Sequence, residues 1–148
     1  MKANKSIELL IADDDAEDRM LIRDALFESR LNNNLQFVED GEQLIDYLYN
    51  RGAYTDKLKF PRPGLILLDL NMPRKDGREA LFEIKQDKNL RSIPIVILTT
   101  SKAEQDILKT YDLGVSSFIT KPVKFESLVD IMTTLNRYWF EIVELPGA

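Results

Sequence analysis

The most informative segment of this 148-residue chain is LILLDLNMP, which occupies residues 65–73. Its continuous apolar start is typical of a strand in a parallel sheet, because such strands are buried on both faces by helices. The carboxylate of Asp69 follows directly, and Pro73 and Gly77 then mark a turn. A charged side chain next to a buried strand requires a partner, so Asp69 is the first candidate functional residue.

Strand-like and helix-like segments alternate along the rest of the chain. The predicted strands are residues 7–12, 35–39, 65–68, 93–98 and 117–120, and the helices begin near residues 15, 40, 78, 101 and 125. This order predicts an α/β fold, a flavodoxin-like doubly wound (βα)5 domain whose parallel five-stranded sheet has the order 2-1-3-4-5, with helices on both faces. We expect one domain over residues 1–148, with a core at about 6–136 and a helix extension or tail at 137–148.

Local signals add detail to this plan. Asp15 resembles a helix N-cap, and Asp40 with Gln43 and Ser101 with Glu104 resemble capping boxes. Residues 51–64 contain two glycines and two prolines, which predict a long surface loop without regular structure.

Composition excludes several classes of protein. The chain has no cysteine and no histidine, so it can form neither a disulfide nor a site based on thiolate or imidazole. A net charge of -5 and the lack of a basic stripe argue against direct binding of nucleic acid. Because no apolar run approaches the length of a membrane span, we expect a cytoplasmic protein without a membrane segment.

Polar residues follow four of the predicted strands: Asp13, Asp14, Asp69, Thr99 and Lys121. Parallel strands end at one edge of the sheet, and ligands of doubly wound sheets bind beyond that edge, so these side chains should cluster there. Carboxylates without histidine or thiolate favour a hard cation, Mg²⁺ or Mn²⁺. Without a cation or Lys121 to neutralise them, three carboxylates would repel one another and raise at least one pKa.

Such a cluster suits phosphoryl transfer. Asp69 can attack phosphorus as a nucleophile, while Lys121 and Thr99 can each contact a phosphoryl oxygen. Taken singly, the motifs are weak: residues 13–15 alone are typical of a helix cap, and Thr99 and Lys121 are ordinary at strand ends. A phosphoryl-transfer site is predicted only because these motifs occur together.

With these motifs in place, the chain resembles the receiver domains of two-component response regulators, the family of chemotaxis regulators, from Ile7 to about Leu135. The resemblance implies that Asp69 is the phosphoacceptor, that Asp13, Asp14 and Asp69 bind the metal with the backbone carbonyl of Asn71, and that Thr99 is the hydroxyl switch residue. It also implies a catalytic Lys121 with a cis peptide to Pro122. The aromatic switch position falls on Phe118, which lacks the tyrosyl hydroxyl found in many members.

Within this family, the 51–64 segment and the extended tail resemble the small, single-domain response regulators of cyanobacterial phytochromes. That resemblance implies a phytochrome-like sensor histidine kinase as phosphoryl donor, light or redox state as the input, a homodimer, and output through protein contacts. Trp139, Phe140, Ile142 and Val143 either form the dimer interface or fold back onto their own domain.

Two other functions remain open from sequence alone. One is a phosphohydrolase with an aspartate nucleophile, although such enzymes require an acid two residues after the nucleophile, where this chain has Asn71. The other is a receiver-like binding module that works without phosphorylation. We expect no enzyme activity beyond self-catalysed phosphorylation and dephosphorylation.

Overall fold

The structure is a computed structural model that describes residues 7–28, 33–100, 102–110, 114–115, 117–121, 124, 126–127, 129–130 and 133. Strands and helices alternate through this part of the chain. The elements are β1 (Ile7–Ala12), α1 (Ala16–Glu28), β2 (Asn33–Val38), α2 (Gly41–Leu48), β3 (Leu65–Asp69), α3 (Gly77–Gln86), β4 (Ile95–Thr99), α4 (Lys102–Thr110) and β5 (Ser117–Thr120). Residues 126–127, 129–130 and 133 are helical, and the rest of the predicted last helix lies outside the described residues.

The strands form one parallel sheet of order β2-β1-β3-β4-β5, which confirms the predicted fold. Ala12 lies opposite Leu68 in the pairing of β1 with β3, and Thr99 lies opposite Thr120 in the pairing of β4 with β5. The carboxyl ends of these strands therefore reach the same rim of the sheet.

Side chains that alternate along the strands divide the core between the two faces of the sheet. On one face, Leu10, Ile66 and Ile97 pack with buried residues of α2 and α3. On the other face, Leu9, Leu67 and Leu98 pack with Ile22 and other residues of α1. Both β3 and β4 are buried at every position, as their continuous apolar sequences predict.

Three helices begin with aspartate caps. The Asp15 carboxylate accepts hydrogen bonds from the N–H groups of Glu17 and Asp18, and Asp76 with Glu79 forms a complete capping box before α3. Asp40 accepts from Gln43 N–H, but Gln43 Oε1 accepts from Glu39 N–H, so the predicted box at α2 is shifted by one residue. Ser101 of the other predicted box lies outside the described residues.

The segment at 51–64 differs from the prediction of a loop without regular structure. Gly52–Tyr54 form a 3₁₀ turn, which the positive φ of Asn50 (53°) and Gly52 (59°) allows. Tyr54 and Phe60 pack against Tyr47 with ring centroids 5.4 and 5.7 Å away, and the Tyr47 hydroxyl donates to Pro61 O. These aromatic contacts fix the loop to the core.

Several element bounds also differ from the sequence prediction. β4 begins at Ile95 instead of 93, because Pro94 has no N–H for the ladder, although its carbonyl accepts from Ile66 N–H. β2 begins at Asn33 instead of 35 and ends at Val38 instead of 39. No helix among the described residues is long and apolar enough to cross a membrane.

Candidate functional site

Polar side chains from the ends of β1, β3 and β5 converge at the rim of the sheet. One carboxylate oxygen each of Asp13, Asp14 and Asp69 lies within 4.8 Å of the others. Asp13 and Asp69 are buried, whereas Asp14 is exposed to solvent. The structure therefore brings together the three carboxylates that the sequence placed at this edge.

Lys121 follows β5 and extends its ammonium group into this cluster. Its Nζ lies 3.0 Å from Asp69 Oδ2 and 3.4 Å from Asp13 Oδ2. The backbone fixes the position of the lysine, since Lys121 N–H donates to Thr99 O at 2.8 Å. One cation thus faces two buried carboxylates.

The pKa values of these groups follow from burial and mutual charge. Burial raises the pKa of Asp13 to about 7, and Lys121 and the N–H of Asp15 oppose that rise. Burial also raises the pKa of Asp69, against the hydrogen bonds from Lys121 and Asn71. Burial alone would lower the pKa of Lys121, but its carboxylate partners raise it above the ordinary value, so the lysine stays charged.

The backbone after Asp69 turns back tightly against the strand. Asn71 N–H donates to Asp69 Oδ1 at 3.1 Å, and Gly77 N–H donates to Leu70 O at 2.9 Å. A Cβ on Gly77 would lie 2.3 Å from Asp69 O, so glycine is required for this approach. The turn leaves the Asn71 side chain exposed beside the site, where its Oδ1 accepts from Arg78.

The two predicted switch residues lie on neighbouring strands. Thr99 is fully buried at the end of β4, at the same rim as Asp69. Phe118 is half-buried on β5, opposite Ile97, and packs against the core on the side of α2 and α3. Pro122 lies outside the described residues, so the predicted cis peptide stays a prediction.

Asp18 is a member of the cluster that sequence reasoning missed. Its Oδ2 lies 2.8 Å from Lys121 Nζ, closer than either buried carboxylate. The sequence did carry a signal for it, because the first turn of α1 begins only a few residues beyond the end of β1 and must lie at the same rim.

A cation fits this group of donors. Asp13 Oδ2 is the one buried side-chain oxygen or nitrogen among the described residues that makes no hydrogen bond, and it forms an ion pair with Lys121 at 3.4 Å. A buried, charged oxygen with an unused lone pair is costly unless a cation satisfies it. The neighbouring donors are carboxylate oxygens, the ligands that Mg²⁺ and Mn²⁺ prefer.

Comparison with known proteins places this geometry in a family. Residues 9–133 match the response regulator receiver domain. The chain belongs to this family. Response regulator Rcp1 of Synechocystis sp. is 38% identical over 147 residues, which cover 99% of this chain and 98% of Rcp1.

Two solved receiver structures extend the comparison. The phosphorylated cyanobacterial phytochrome response regulator RcpA is 39% identical with a TM-score of 0.76, covering 93% of this receiver and 96% of RcpA. The Mn²⁺-bound form of Rcp1 is 38% identical with a TM-score of 0.76, covering 95% of this receiver and 99% of Rcp1. These similarities confirm the predicted resemblance to receivers, and to the small cyanobacterial phytochrome regulators among them.

Proposed function

We propose that this receiver is a stand-alone response regulator that accepts a phosphoryl group on Asp69 from a sensor histidine kinase. The observation that carries the proposal is the placement of the Asp69 carboxylate, which is buried at the rim, beside the oxygens of Asp13 and Asp14 and 3.0 Å from Lys121 Nζ. Such a carboxylate is poised between a cation site and a fixed ammonium group. That arrangement suits a nucleophile in phosphoryl transfer.

Mg²⁺ or Mn²⁺ is the proposed cofactor. Asp13, Asp14 and Asp69 would hold the ion, together with the backbone carbonyl of Asn71. A bound cation would neutralise negative charge on the phosphoryl oxygens. The all-oxygen donor set and the unsatisfied Asp13 Oδ2 support this cofactor, as does the similarity to a receiver solved with Mn²⁺.

In the proposed reaction, a carboxylate oxygen of Asp69 forms a bond to phosphorus. The bond from phosphorus to the imidazole nitrogen of the donor breaks, and that nitrogen keeps the electron pair. Lys121 can follow the negative charge from the carboxylate to a phosphoryl oxygen, because its Nζ already lies beside Asp69 Oδ2. The protein modifies only itself, so it is not an enzyme with a separate substrate.

Phosphorylation would then change the positions of Thr99 and Phe118. The hydroxyl of Thr99 would move toward the phosphoryl group, and Phe118 would take up the vacated space, which changes the surface formed by α4, β5 and the last helix. The burial of Thr99 and the half-burial of Phe118 on adjacent strands support this coupling. Such a switch requires two pre-existing states that the phosphoryl group stabilises to different degrees.

The proposed donor is a phytochrome-like, light-sensing kinase, which the similarity to RcpA supports. We also propose that residues 1–148 act as one receiver domain in the cytoplasm, as a homodimer, without binding nucleic acid directly. The candidates for the dimer interface lie outside the described residues: Trp139, Phe140, Ile142 and Val143. Mixing protomers that carry two different fluorophores should produce energy transfer, and its absence at high concentration would contradict the homodimer.

Labelling with acetyl phosphate tests the acceptor. The wild type should gain one phosphoryl group in Mg²⁺, while Asp69→Asn should gain none. Asp24→Asn is a matched control, since it removes an exposed carboxylate of α1 outside the cluster and should label normally. Equal labelling of Asp69→Asn and wild type would move the acceptor elsewhere.

The kinase is tested by transfer from a phosphorylated phytochrome-like histidine kinase. Rapid loss of label from the kinase, with gain by the wild type and none by Asp69→Asn, is expected. Turnover of a free phosphomonoester would instead favour a phosphohydrolase. We do not expect that outcome, because Asn71 stands where such an enzyme has its general acid and an amide cannot act as an acid.

A further inference from the structure

Asp18 occupies the position in α1 where an acidic residue often helps to cap the N-terminus of the helix. Asp15 is the N-cap, so Asp18 is the third helical residue, and in a capping box its carboxylate would accept from the N–H of the cap. That N–H is already used, because Asp15 N donates to Asp13 Oδ1 at 2.9 Å. The Asp18 side chain is therefore free of the capping role and contacts Lys121 instead.

Lys121 forms ion pairs with three carboxylates at different distances. Its shortest contact is to Asp18, at 2.8 Å, followed by Asp69 at 3.0 Å and Asp13 at 3.4 Å. The two side chains of the Lys121–Asp18 pair are only 14% and 19% exposed, so water screens the pair less than an ordinary surface ion pair. The closest partner of Lys121 is also the one that does not belong to the group of possible metal ligands.

Lys121 and a divalent cation would compete for the carboxylates of Asp13 and Asp69, and Asp18 can relieve this competition. An ammonium group on Asp13 and Asp69 contacts two of the carboxylates that a divalent cation would bind, and the two positive charges repel each other. A third carboxylate outside the metal group lets the lysine keep a partner when the other two bind the cation. The lysine then stays beside the phosphoacceptor instead of moving into solvent.

We propose that Asp18 is a positioning residue that holds the Lys121 ammonium group beside Asp69 while Asp13 and Asp69 bind the metal. The inference rests on the proposed function, because it concerns the same cation and acceptor. Asp18 touches neither the metal nor the phosphoryl group in this scheme. Its effect on both passes through Lys121.

A double-mutant cycle tests this role by titrating Mg²⁺ into the protein in a calorimeter. Asp18→Asn should raise the Kd for Mg²⁺ by about tenfold, since the lysine then competes for the oxygens of Asp13 and Asp69. In a Lys121→Met background the same change should raise the Kd by no more than about threefold, because the competitor is gone. Glu17→Gln, which removes an exposed charge from the same turn, is the matched control and should leave the Kd close to the wild-type value.

Equal effects of Asp18→Asn in both backgrounds would overturn the inference, since Asp18 would then act on the metal directly. An unchanged Kd in Asp18→Asn would overturn it as well. If Lys121→Met does not fold, the ammonium proton resonance of Lys121 at saturating Mg²⁺ decides instead. That resonance should be sharp in the wild type and lost in Asp18→Asn, and a sharp resonance in both would overturn the inference.

The proposed function and this inference fail in different ways. A wild-type protein that neither binds Mg²⁺ nor gains a phosphoryl group would contradict the proposed function. A wild-type protein that does both, with no coupling between positions 18 and 121, would contradict only the role of Asp18.

Discussion

Asp13 has the least favourable surroundings for a charge among the residues of the site, because its side chain is fully buried and Oδ2 accepts no hydrogen bond. Burial raises its pKa from the ordinary 3.8 to about 7. The folded protein therefore holds this proton more tightly than the unfolded chain does. The stability that this proton contributes is present in acid and is lost as the pH rises through the folded pKa.

We expect the free energy of unfolding of the metal-free protein to fall between about pH 4 and about pH 7, with Asp13 as the main cause. Urea unfolding measured across this range in the presence of a chelator provides the measurement. Asp13→Asn should flatten the profile, since the amide does not titrate, and Mg²⁺ should restore stability at the upper end. An equally steep fall in Asp13→Asn would assign the effect to another group.

Thr99 permits a prediction that separates chemistry from signalling. Thr99→Ala should still be labelled by acetyl phosphate, because Asp69 and Lys121 remain, but it should lose the phosphorylation-dependent change in partner binding. Surface binding assays with the kinase, before and after labelling, measure that change. Thr100→Ala, at the exposed neighbouring position, is the control. Normal switching in Thr99→Ala would refute the proposed coupling to Phe118.

Single residues also mark a limit of sequence reasoning. The sequence was sufficient to predict that four side chains lie together, because each stands at the end of a strand in a parallel sheet: Asp13, Asp14, Asp69 and Lys121. Asp18 could not be placed from strand ends, since its contact depends on the helical turn after β1 and on which hydrogen bonds are already used there.

At the scale of elements, continuous apolar runs made β3 and β4 predictable, while the hydrogen-bonding capacity of the backbone determined where they begin and end. The same chemistry moved the start of β4 past Pro94. Contacts between distant elements were less accessible to prediction: the Arg78 guanidinium in α3 binds the Glu104 carboxylate in α4 and also donates to Asn71 Oδ1. Pairs of long surface side chains follow from three-dimensional placement, which no local pattern encodes.

The 51–64 segment yields the clearest prediction at this scale. Phe60→Ala should destabilise the protein by about 2 kcal/mol, because it removes an aromatic ring that packs on Tyr47 and Tyr54 but is only partly buried. Phe27→Ala, whose ring is 84% exposed on α1, should change stability by less than about 0.5 kcal/mol. Chemical denaturation of both variants provides the measurement. Equal stability of the two would show that the loop is not fixed to the core.

At the scale of the whole molecule, the alternation of strands and helices predicted a parallel, doubly wound sheet, and the flavodoxin-like arrangement of such a sheet supplied the predicted strand order. Right-handed crossovers leave few alternatives once five strands alternate with helices, and the observed order β2-β1-β3-β4-β5 is the flavodoxin-like one. This topology brings residues separated by more than one hundred positions, such as Asp13 and Lys121, to within 3.4 Å. The chemistry of the rim is therefore a consequence of the topology of the whole sheet.

The most direct test of this account is to find which atom carries the phosphoryl group. Wild-type protein is phosphorylated with acetyl phosphate in Mg²⁺ and then treated with borohydride, which reduces an acyl phosphate to an alcohol. Peptide sequencing by mass spectrometry should find homoserine at position 69, and omission of Mg²⁺ should leave aspartate there. Homoserine at another carboxylate, or equal conversion without the metal, would contradict the account.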